Sequence, residues 1–292
     1  MTEAIAQADR TVRRVTCIVC DAHDFVEKWP GLIRCESCGF LTADMETFGD
    51  EDFAALYGHD YFHGSEYHDY VAEKRITQRS FGLRMKKLDR FLRPERHKRL
   101  LEIGSAYGFF LDFVRGRFEP AIGVDVATDA VAYSQQQGLD VRLGDLAELP
   151  IDGPFDVVCM WDTIEHLPHP EQHLARVAEM TAPGALITVT TGDIGSPLAR
   201  TRGRQWRLIH PPTHLHYFSE ATLTKILDKH GFTVVHSSYC GGYRSLEFAA
   251  NFVLTIRWNK PKLYNLVRRT GLLKFAPYVN LGDIRYIIAE RR

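Results

Sequence analysis

Four of the six cysteines fall in two pairs, Cys17-Ile18-Val19-Cys20 and Cys35-Glu36-Ser37-Cys38, with the spacing C-x2-C-x14-C-x2-C. That is the spacing of a structural zinc site: each pair makes a tight turn that aims two thiolates at one ion. Four sulfurs complete a tetrahedron and leave no position for water, so Cys17, Cys20, Cys35 and Cys38 are expected to hold Zn2+ for structure rather than catalysis. Gly39 suits the left-handed position after the second turn, where Asp21 stands after the first. The other stretch able to do chemistry begins at Leu100-Leu101-Glu102-Ile103-Gly104-Ser105-Ala106-Tyr107-Gly108-Phe109. Its apolar run reads as a buried strand, Gly104 to Gly108 as a turn, and Phe109 as the opening of a helix. Glycine lets backbone approach a ligand closely and a helix N-terminus offers unpaired N–H groups, so this is a cofactor floor. The spacing glutamate-x-glycine-x-x-x-glycine differs from the pyrophosphate fingerprint G-x-G-x-x-G.

Together with the motifs C-terminal to it, this stretch resembles the first motif of the class I S-adenosylmethionine-dependent methyltransferases. Gly123-Val124-Asp125-Val126 ends a second strand with an acid 21 positions beyond Gly104, where that family binds the ribose hydroxyls. Gly144-Asp145-Leu146 matches the turn that reads the adenine. Phe155 to Asp162 is similar to the fourth strand, with Glu165-His166-Leu167 after it, and Pro183-Gly184-Ala185-Leu186-Ile187 to the turn into the fifth. The sequence departs from the pattern at Ala106, where many members have a third glycine. The resemblance implies an α/β fold with a seven-stranded Rossmann-like sheet, last strand antiparallel, and S-adenosyl-L-methionine as cofactor. It implies that Glu102 orients the amino-acid or loop end, while Gly104, Ser105, Ala106, Gly108 and Phe109 pass beneath the methionine moiety. Asp125 with Val126 would take the ribose and Asp145 with Leu146 the adenine. Trp161 and Asp162 complete the cofactor set.

Methyl transfer from a sulfonium is an in-line displacement, and a hydroxyl acceptor must also lose a proton. A base near neutral pKa contributes roughly 10²–10⁴-fold to such a step, and histidine suits it. His166 comes after the fourth strand, and His210, His214, His216 and Tyr217 lie in the stretch Trp206 to Phe218 expected to face the acceptor. The expected catalytic residues are His166, His210, His214 and Tyr217. The ribbon, the Trp-Asp-x-Ile-Glu-His-Leu-Pro stretch and the Pro-Pro-x-His-x-x-Tyr-Phe insertion are similar to methyltransferases of sugar and natural-product pathways. Deoxysugar C-methyltransferases share the ribbon but are longer, which favours a hydroxyl of a saccharide or related metabolite, free or linked to a nucleotide or lipid. Two rivals stand beside this: a ribosomal RNA base methyltransferase, and a non-enzymatic binding module.

Periodicity and composition set the elements that must position these residues. The 292 residues, 45% hydrophobic and 25% charged with a net charge of −1, suit a globular chain with no field drawing it to nucleic acid. DNA is excluded as a partner and RNA disfavoured by the same balance. No stretch has the length of a signal peptide or membrane span, so a cytoplasmic location is expected. The expected organisation is a disordered tail over 1–14, a zinc ribbon over 15–47, a helical connector or lid over 48–97, and the main domain over 98–292. Tyr57, Tyr61 and Phe62 are the expected lid aromatics. Arg99 to about Leu186 alternates strand and helix as a parallel sheet requires, with its crevice at the carboxyl ends of the strands. Insertions are expected at about 192–218, long and irregular, and at about 241–281, apolar first and then basic.

Overall fold

The structure is a computed structural model and describes residues 12–45 and 71–292. Tyr57, Tyr61 and Phe62 lie outside the described residues. The chain opens with an antiparallel meander of β1 (Val12–Arg14), β2 (Asp24–Trp29), β3 (Leu32–Cys35) and β4 (Leu41–Ala43). Strand β1 falls in the stretch expected as a disordered tail; pairing with β2, Val12 opposite Val26, extends the ribbon toward the N-terminus.

Helix α1 (Lys74–Leu88) leads into β5 (Leu100–Ile103), α2 (Phe109–Phe113), β6 (Ala121–Asp125), α3 (Thr128–Gln136), β7 (Asp140–Leu143) and β8 (Phe155–Trp161). Then come α4 (Pro170–Glu179), β9 (Thr181–Gly192), α5 (Pro197–Arg202), β10 (His216–Tyr217), α6 (Glu220–Lys229) and β11 (Phe232–Tyr239). The second insertion contributes β12 (Gly242–Tyr243), α7 (Leu246–Asn251), α8 (Pro261–Arg269) and β13 (Tyr278–Val279) before β14 (Ile284–Arg291).

The main sheet has seven strands in the order β11-β14-β9-β8-β5-β6-β7, and β14 runs antiparallel to both of its neighbours. The α/β fold and the antiparallel last strand are as the sequence implies. All four residues of β5 are buried because the strand is covered on both faces and paired on both edges, with Leu100 aligned to Ala121 and Val157. A strand in that position must be nearly all apolar, and Glu102 is its one exception. Its order in the middle of the sheet places the turn after Ile103 at the centre of the carboxyl-end crevice.

The ribbon is not a separate unit. Its sheet is completed by β10, His216 opposite Thr42 and Tyr217 opposite Leu41, giving the order β1-β2-β3-β4-β10. Cys17, Val19, Phe25 and Phe40 share one apolar core with Leu174, Phe218, Leu223 and Ile226 of the main domain. The boundary expected at residue 47 is therefore bridged, and the insertion expected to be irregular over 192–218 contains α5 and a sheet strand. A second small core joins Leu32, Leu41 and Ala43 to Trp206, Leu215 and Tyr217. Among the described residues no helix is long and apolar enough to cross a membrane.

Trp206, expected to face the acceptor, is 2% exposed and donates its indole N–H to Asp283 at 3.0 Å. Its ring fills the seam between insertion and ribbon. Replacing Trp206 with Ala removes a large buried ring and leaves the buried Asp283 short of a donor, so a loss of about 3–5 kcal/mol is expected in denaturant unfolding. An unchanged midpoint would place the ring outside this core.

Candidate functional site

The turn that leaves β5 is held by backbone geometry few residues tolerate. Gly104 has φ +73°, and a Cβ there would stand 2.5 Å from the Thr163 side chain. Ala106 has φ 45°, the left-handed region that costs a non-glycine residue roughly 1–2 kcal/mol. Asp125 secures it: one carboxylate oxygen accepts the Ala106 N–H at 2.7 Å and the other the Ala127 N–H at 2.9 Å. Burial raises the Asp125 pKa while these backbone donors pull it down, the net result lying above the ordinary value. Each oxygen keeps lone pairs for further hydrogen bonds.

This turn forms one wall of a cavity of about 1320 Å³. Gly104, Ala106, Asp125, Val126, Asp145, Leu146, Trp161 and Asp162 all line it, so eight of the twelve expected cofactor residues meet there. The other four, Glu102, Ser105, Gly108 and Phe109, are not among the lining residues. Glu102 is buried within the sheet, where burial raises its pKa well above the usual carboxylate value and its Oε2 has no hydrogen-bond partner. Ser105 and Phe109 are buried as well, and a Cβ on Gly108 would meet Leu139 and Ser134. These four shape the turn from behind, because side chains alternate away from the crevice as the chain bends.

Asp145 is held by His173, whose Nε2 lies 2.9 Å from its Oδ1, while His173 Nδ1 donates to the His169 carbonyl at 3.0 Å. Both ring nitrogens face acceptors, which suits the imidazolium. Burial lowers the His173 pKa, but the hydrogen bonds to Asp145 and His169 outweigh it and the net shift is upward from 6.5. The Asp145 carboxyl is correspondingly lowered from 3.8, chiefly by the His173 hydrogen bond. Asp162, at φ 54°, forms a 2.7 Å ion pair with Arg84 of α1, whose guanidinium lies 5.4 Å from the Trp161 ring. Trp161 stacks on Tyr286, and its indole nitrogen is buried with no hydrogen-bond partner. Neither Arg84 nor His173 was expected from the sequence. Each sits on a helix whose pattern reads as amphipathic, and a single polar residue on a helix carries no signal of its partner.

The same cavity is also lined by Glu165, His166, His210 and His214. The rings of His166 and His214 are 4.5 Å apart and those of His210 and His214 4.0 Å. His166 Nδ1 donates to the Thr213 carbonyl at 2.8 Å and His214 Nδ1 to the Leu208 carbonyl at 2.9 Å. Burial lowers the pKa of His166 to about 4 and of His214 to about 2. Burial, with Asp162 nearby, raises Glu165 to about 8. Tyr217 does not join this group. It is 2% exposed, its hydroxyl donates to the His214 carbonyl at 2.7 Å, and it packs in the core between ribbon and insertion. The expected catalytic role for Tyr217 is thereby corrected to a structural one, as β10 turns its ring into the seam. His216 is likewise buried, against Phe40 and within 2.9 Å of the Thr42 hydroxyl.

Among the described residues, two groups of side chains could hold a metal ion. The first is Cys17, Cys20, Cys35 and Cys38, whose sulfurs lie within 4.8 Å of one another, Cys17 to Cys38 at 3.7 Å and Cys20 to Cys35 at 3.6 Å. Four sulfurs around zinc at about 2.3 Å stand roughly 3.8 Å apart, so the arrangement suits a tetrahedral ion. Both turns have the same form: Asp21 N–H bonds the Cys17 carbonyl and Gly39 N–H the Cys35 carbonyl, with φ 61° at Asp21 and 78° at Gly39. The second group is Glu165, His166 and His214.

A family model described as a methyltransferase domain matches residues 75–237, more than half of the chain. A Mycolicibacterium smegmatis (strain ATCC 700084 / mc(2)155) protein named a probable S-adenosylmethionine-dependent methyltransferase is 31% identical over 138 residues, 46% of this chain and 52% of that protein. A ubiquinone biosynthesis O-methyltransferase of Burkholderia orbicola (strain MC0-3) is 28% identical over 102 residues, 32% of this chain and 44% of that protein. The chain thus spans about half the length of the curated relatives it matches. Among solved structures, the YcgJ protein of Bacillus subtilis has a TM-score of 0.51 at 16% identity, covering 73% of this chain and 98% of its own. A Haloferax volcanii complex of the Trm112 methyltransferase activator with a methyltransferase gives 0.54 at 16%, covering 76% of this chain and 93% of the matched one. These two show a shared fold.

The His173–Asp145 pair gives the protein a pH signature. His173, raised in the folded state, contributes stability that is full below 6.5 and lost as pH rises through its folded pKa; Asp145, lowered, contributes above 3.8. The stability gap between the wild type and His173→Gln is therefore largest between these values and narrows above 6.5. Denaturant midpoints at acidic, neutral and alkaline pH check this, and a gap that widens with pH would contradict the pairing.

Proposed function

The chain belongs to the methyltransferase-domain family, and from that premise we propose that it is an S-adenosylmethionine-dependent methyltransferase that methylates a hydroxyl of a saccharide or related small metabolite. The observation that carries this reading is the cluster of three histidines lining the same cavity as Asp125 and Asp145. The similarity to an O-methyltransferase of ubiquinone biosynthesis supports oxygen as the acceptor atom.

The cavity fits the cofactor. Its volume exceeds the roughly 300–1,000 Å³ of a single small-molecule site, which leaves room for donor and acceptor side by side. The buried indole nitrogen of Trp161, on that wall without a partner, is a donor waiting for an acceptor. When bound, S-adenosylmethionine supplies an electrophilic methyl group on a sulfonium. Asp125 accepts hydrogen bonds from the ribose hydroxyls with the lone pairs left by Ala106 and Ala127, and Asp145 with Leu146 meets the adenine. Trp161, Phe81 and Arg84 close the wall beside Asp162 and keep water away.

His210 is the proposed proton acceptor. Its ring lies tilted at 41° to that of His214 and lines the cavity, whereas His166 and His214 are each anchored through Nδ1 to a carbonyl. It would take the proton of the acceptor hydroxyl. Holding the two reactants in line contributes on the order of 7–11 kcal/mol, and the base roughly 10²–10⁴-fold. Arg207, also paired with Asp283 at 3.0 Å, and Arg244 line the same cavity, where they suit the phosphate of a nucleotide- or lipid-linked sugar. The four ribbon cysteines hold a structural zinc ion, a proposal supported by their sulfur spacing and matching turns.

Incubation with S-adenosylmethionine and candidate sugars, free, nucleotide-linked and lipid-linked, with product mass and linkage analysis, tests the reaction. The expected result is an O-methyl product from the wild type and turnover lowered 10²–10⁴-fold in His210→Ala, with cofactor affinity retained. Product methylated on carbon or nitrogen, or His210→Ala at wild-type rate, would overturn the assignment.

A further inference from the structure

We propose that the second insertion seats the protein on an anionic lipid bilayer, with α8 (Pro261–Arg269) lying among the headgroups. This helix is turned the opposite way to an ordinary surface helix, which hides its apolar side and shows its charges. Tyr264 and Arg268, four apart and so on one face, turn inward to a single carboxylate of α7: the Tyr264 hydroxyl donates to Glu247 Oε1 at 3.3 Å, and Arg268 Nε lies 2.8 Å from the same oxygen. At 3.6 residues per turn Leu263 and Leu266 then fall on the far side, and both are exposed, Leu266 at 63%. Trp258 before the helix and Leu272 and Phe275 after it are exposed too, the last two at 70% and 66%. Single exposed apolar residues are ordinary, but five large ones between positions 258 and 275 mark a contact surface.

The charge around these residues indicates what covers them. Lys260, Lys262 and Arg269 are exposed, and the chain carries no acid from Asn259 to Asn280. Lys262 and Arg269 lie to one side of Leu266 on the helix, and their long stems let the cations reach lipid phosphate while the leucines enter the acyl boundary. Trp258 joins an apolar ring to a polar N–H, the combination that settles at headgroup depth. A helix of nine residues is about 14 Å long and cannot cross a hydrocarbon core of about 30 Å, so it lies on the surface. A second copy seated by twofold symmetry would instead set this cationic patch against itself. The same insertion carries part of the cavity edge: Tyr243, Arg244, Val279 and Leu281 line the cavity, and Val279 and Leu281 are themselves exposed. That suits an acceptor sugar linked to a lipid rather than to a nucleotide, a consequence that rests on the O-methylation reading above; the docking does not.

The test is co-sedimentation of the purified full-length protein with vesicles of phosphatidylcholine alone and of an equimolar mixture with phosphatidylglycerol, with tryptophan emission read in parallel. The protein is expected to bind the mixed vesicles, to bind phosphatidylcholine at least about tenfold more weakly, and to release as salt rises. A cation near the surface is worth about fivefold in affinity, so Lys260→Ala combined with Lys262→Ala is expected to cost about 25-fold. Leu266→Glu combined with Leu272→Glu, with wild-type circular dichroism, is expected to abolish sedimentation, since burying each leucine contributes about tenfold or more. Trp258→Phe is expected to bind but to lose the blue shift of emission. No sedimentation of the wild type, equal binding to both vesicles, or unchanged binding in the double glutamate variant would each overturn the proposal. A concentration-dependent dimer that the same variant dissolves would assign the surface to a second copy and overturn it as well. Vesicle binding by a protein that methylates only nucleotide-linked sugar would uphold the docking and remove the lipid-linked acceptor; a methylated lipid-linked sugar from a protein that does not sediment would do the reverse.

Discussion

The Asp125 carboxylate grips the Ala106 and Ala127 N–H groups at once, and the geometry of the crevice depends on that clasp. It ties the turn leaving β5 to the residues just past β6, so the floor and one side wall are set by a single buried anion. Burial opposes the charge and the two donors support it, with the net shift upward from the ordinary carboxylate value. The turn itself is constrained from the other side, where Thr163 leaves no space for a Cβ at Gly104. The left-handed Ala106 is tolerated because its N–H is captured.

The histidine-lined part of the cavity is organised by the ribbon. The Leu215 and His216 N–H groups both donate to the Glu165 carbonyl, at 2.9 and 3.1 Å, and the Ala43 N–H donates to the Leu215 carbonyl at 2.7 Å. Ribbon strand β4, insertion strand β10 and the loop after β8 are thus joined by consecutive main-chain bonds. Those bonds bring His210 and His214 to Glu165 and His166 and exclude Tyr217, whose ring is drawn into the seam. The ribbon therefore acts on this wall through backbone, as a clamp on the loop before β10, and its cysteines are not among the lining residues.

How much of this the sequence discloses depends on how local each signal is. The β5 turn, Asp125 and Asp145 meet at one cavity and the two cysteine turns come together, as their spacing implies, because that spacing is a property of consecutive residues. Gly108 and Phe109 share that stretch yet stand behind the wall, since spacing alone does not say which way a bending chain turns each side chain. The pairing of His216 with Thr42 joins residues 174 positions apart through a strand of two residues, too short for any periodicity. Trp206 and Tyr217 have the composition of binding-loop residues, and only Asp283 and the ribbon core reveal that they are packed inside. Arg84 is one cation among several on α1, and its importance comes from Asp162, which the sequence does not place beside it.

The crevice between Asp125 and Asp145 is where the sulfonium cofactor must sit for the rest to hold. A crystal structure of the protein with S-adenosylhomocysteine tests this directly. The ribose hydroxyls are expected on the Asp125 carboxylate, the adenine at Asp145 and Leu146, and the thioether sulfur turned toward the histidine cluster. A nucleoside bound elsewhere, or one in the crevice with no contact to Asp125, would contradict it.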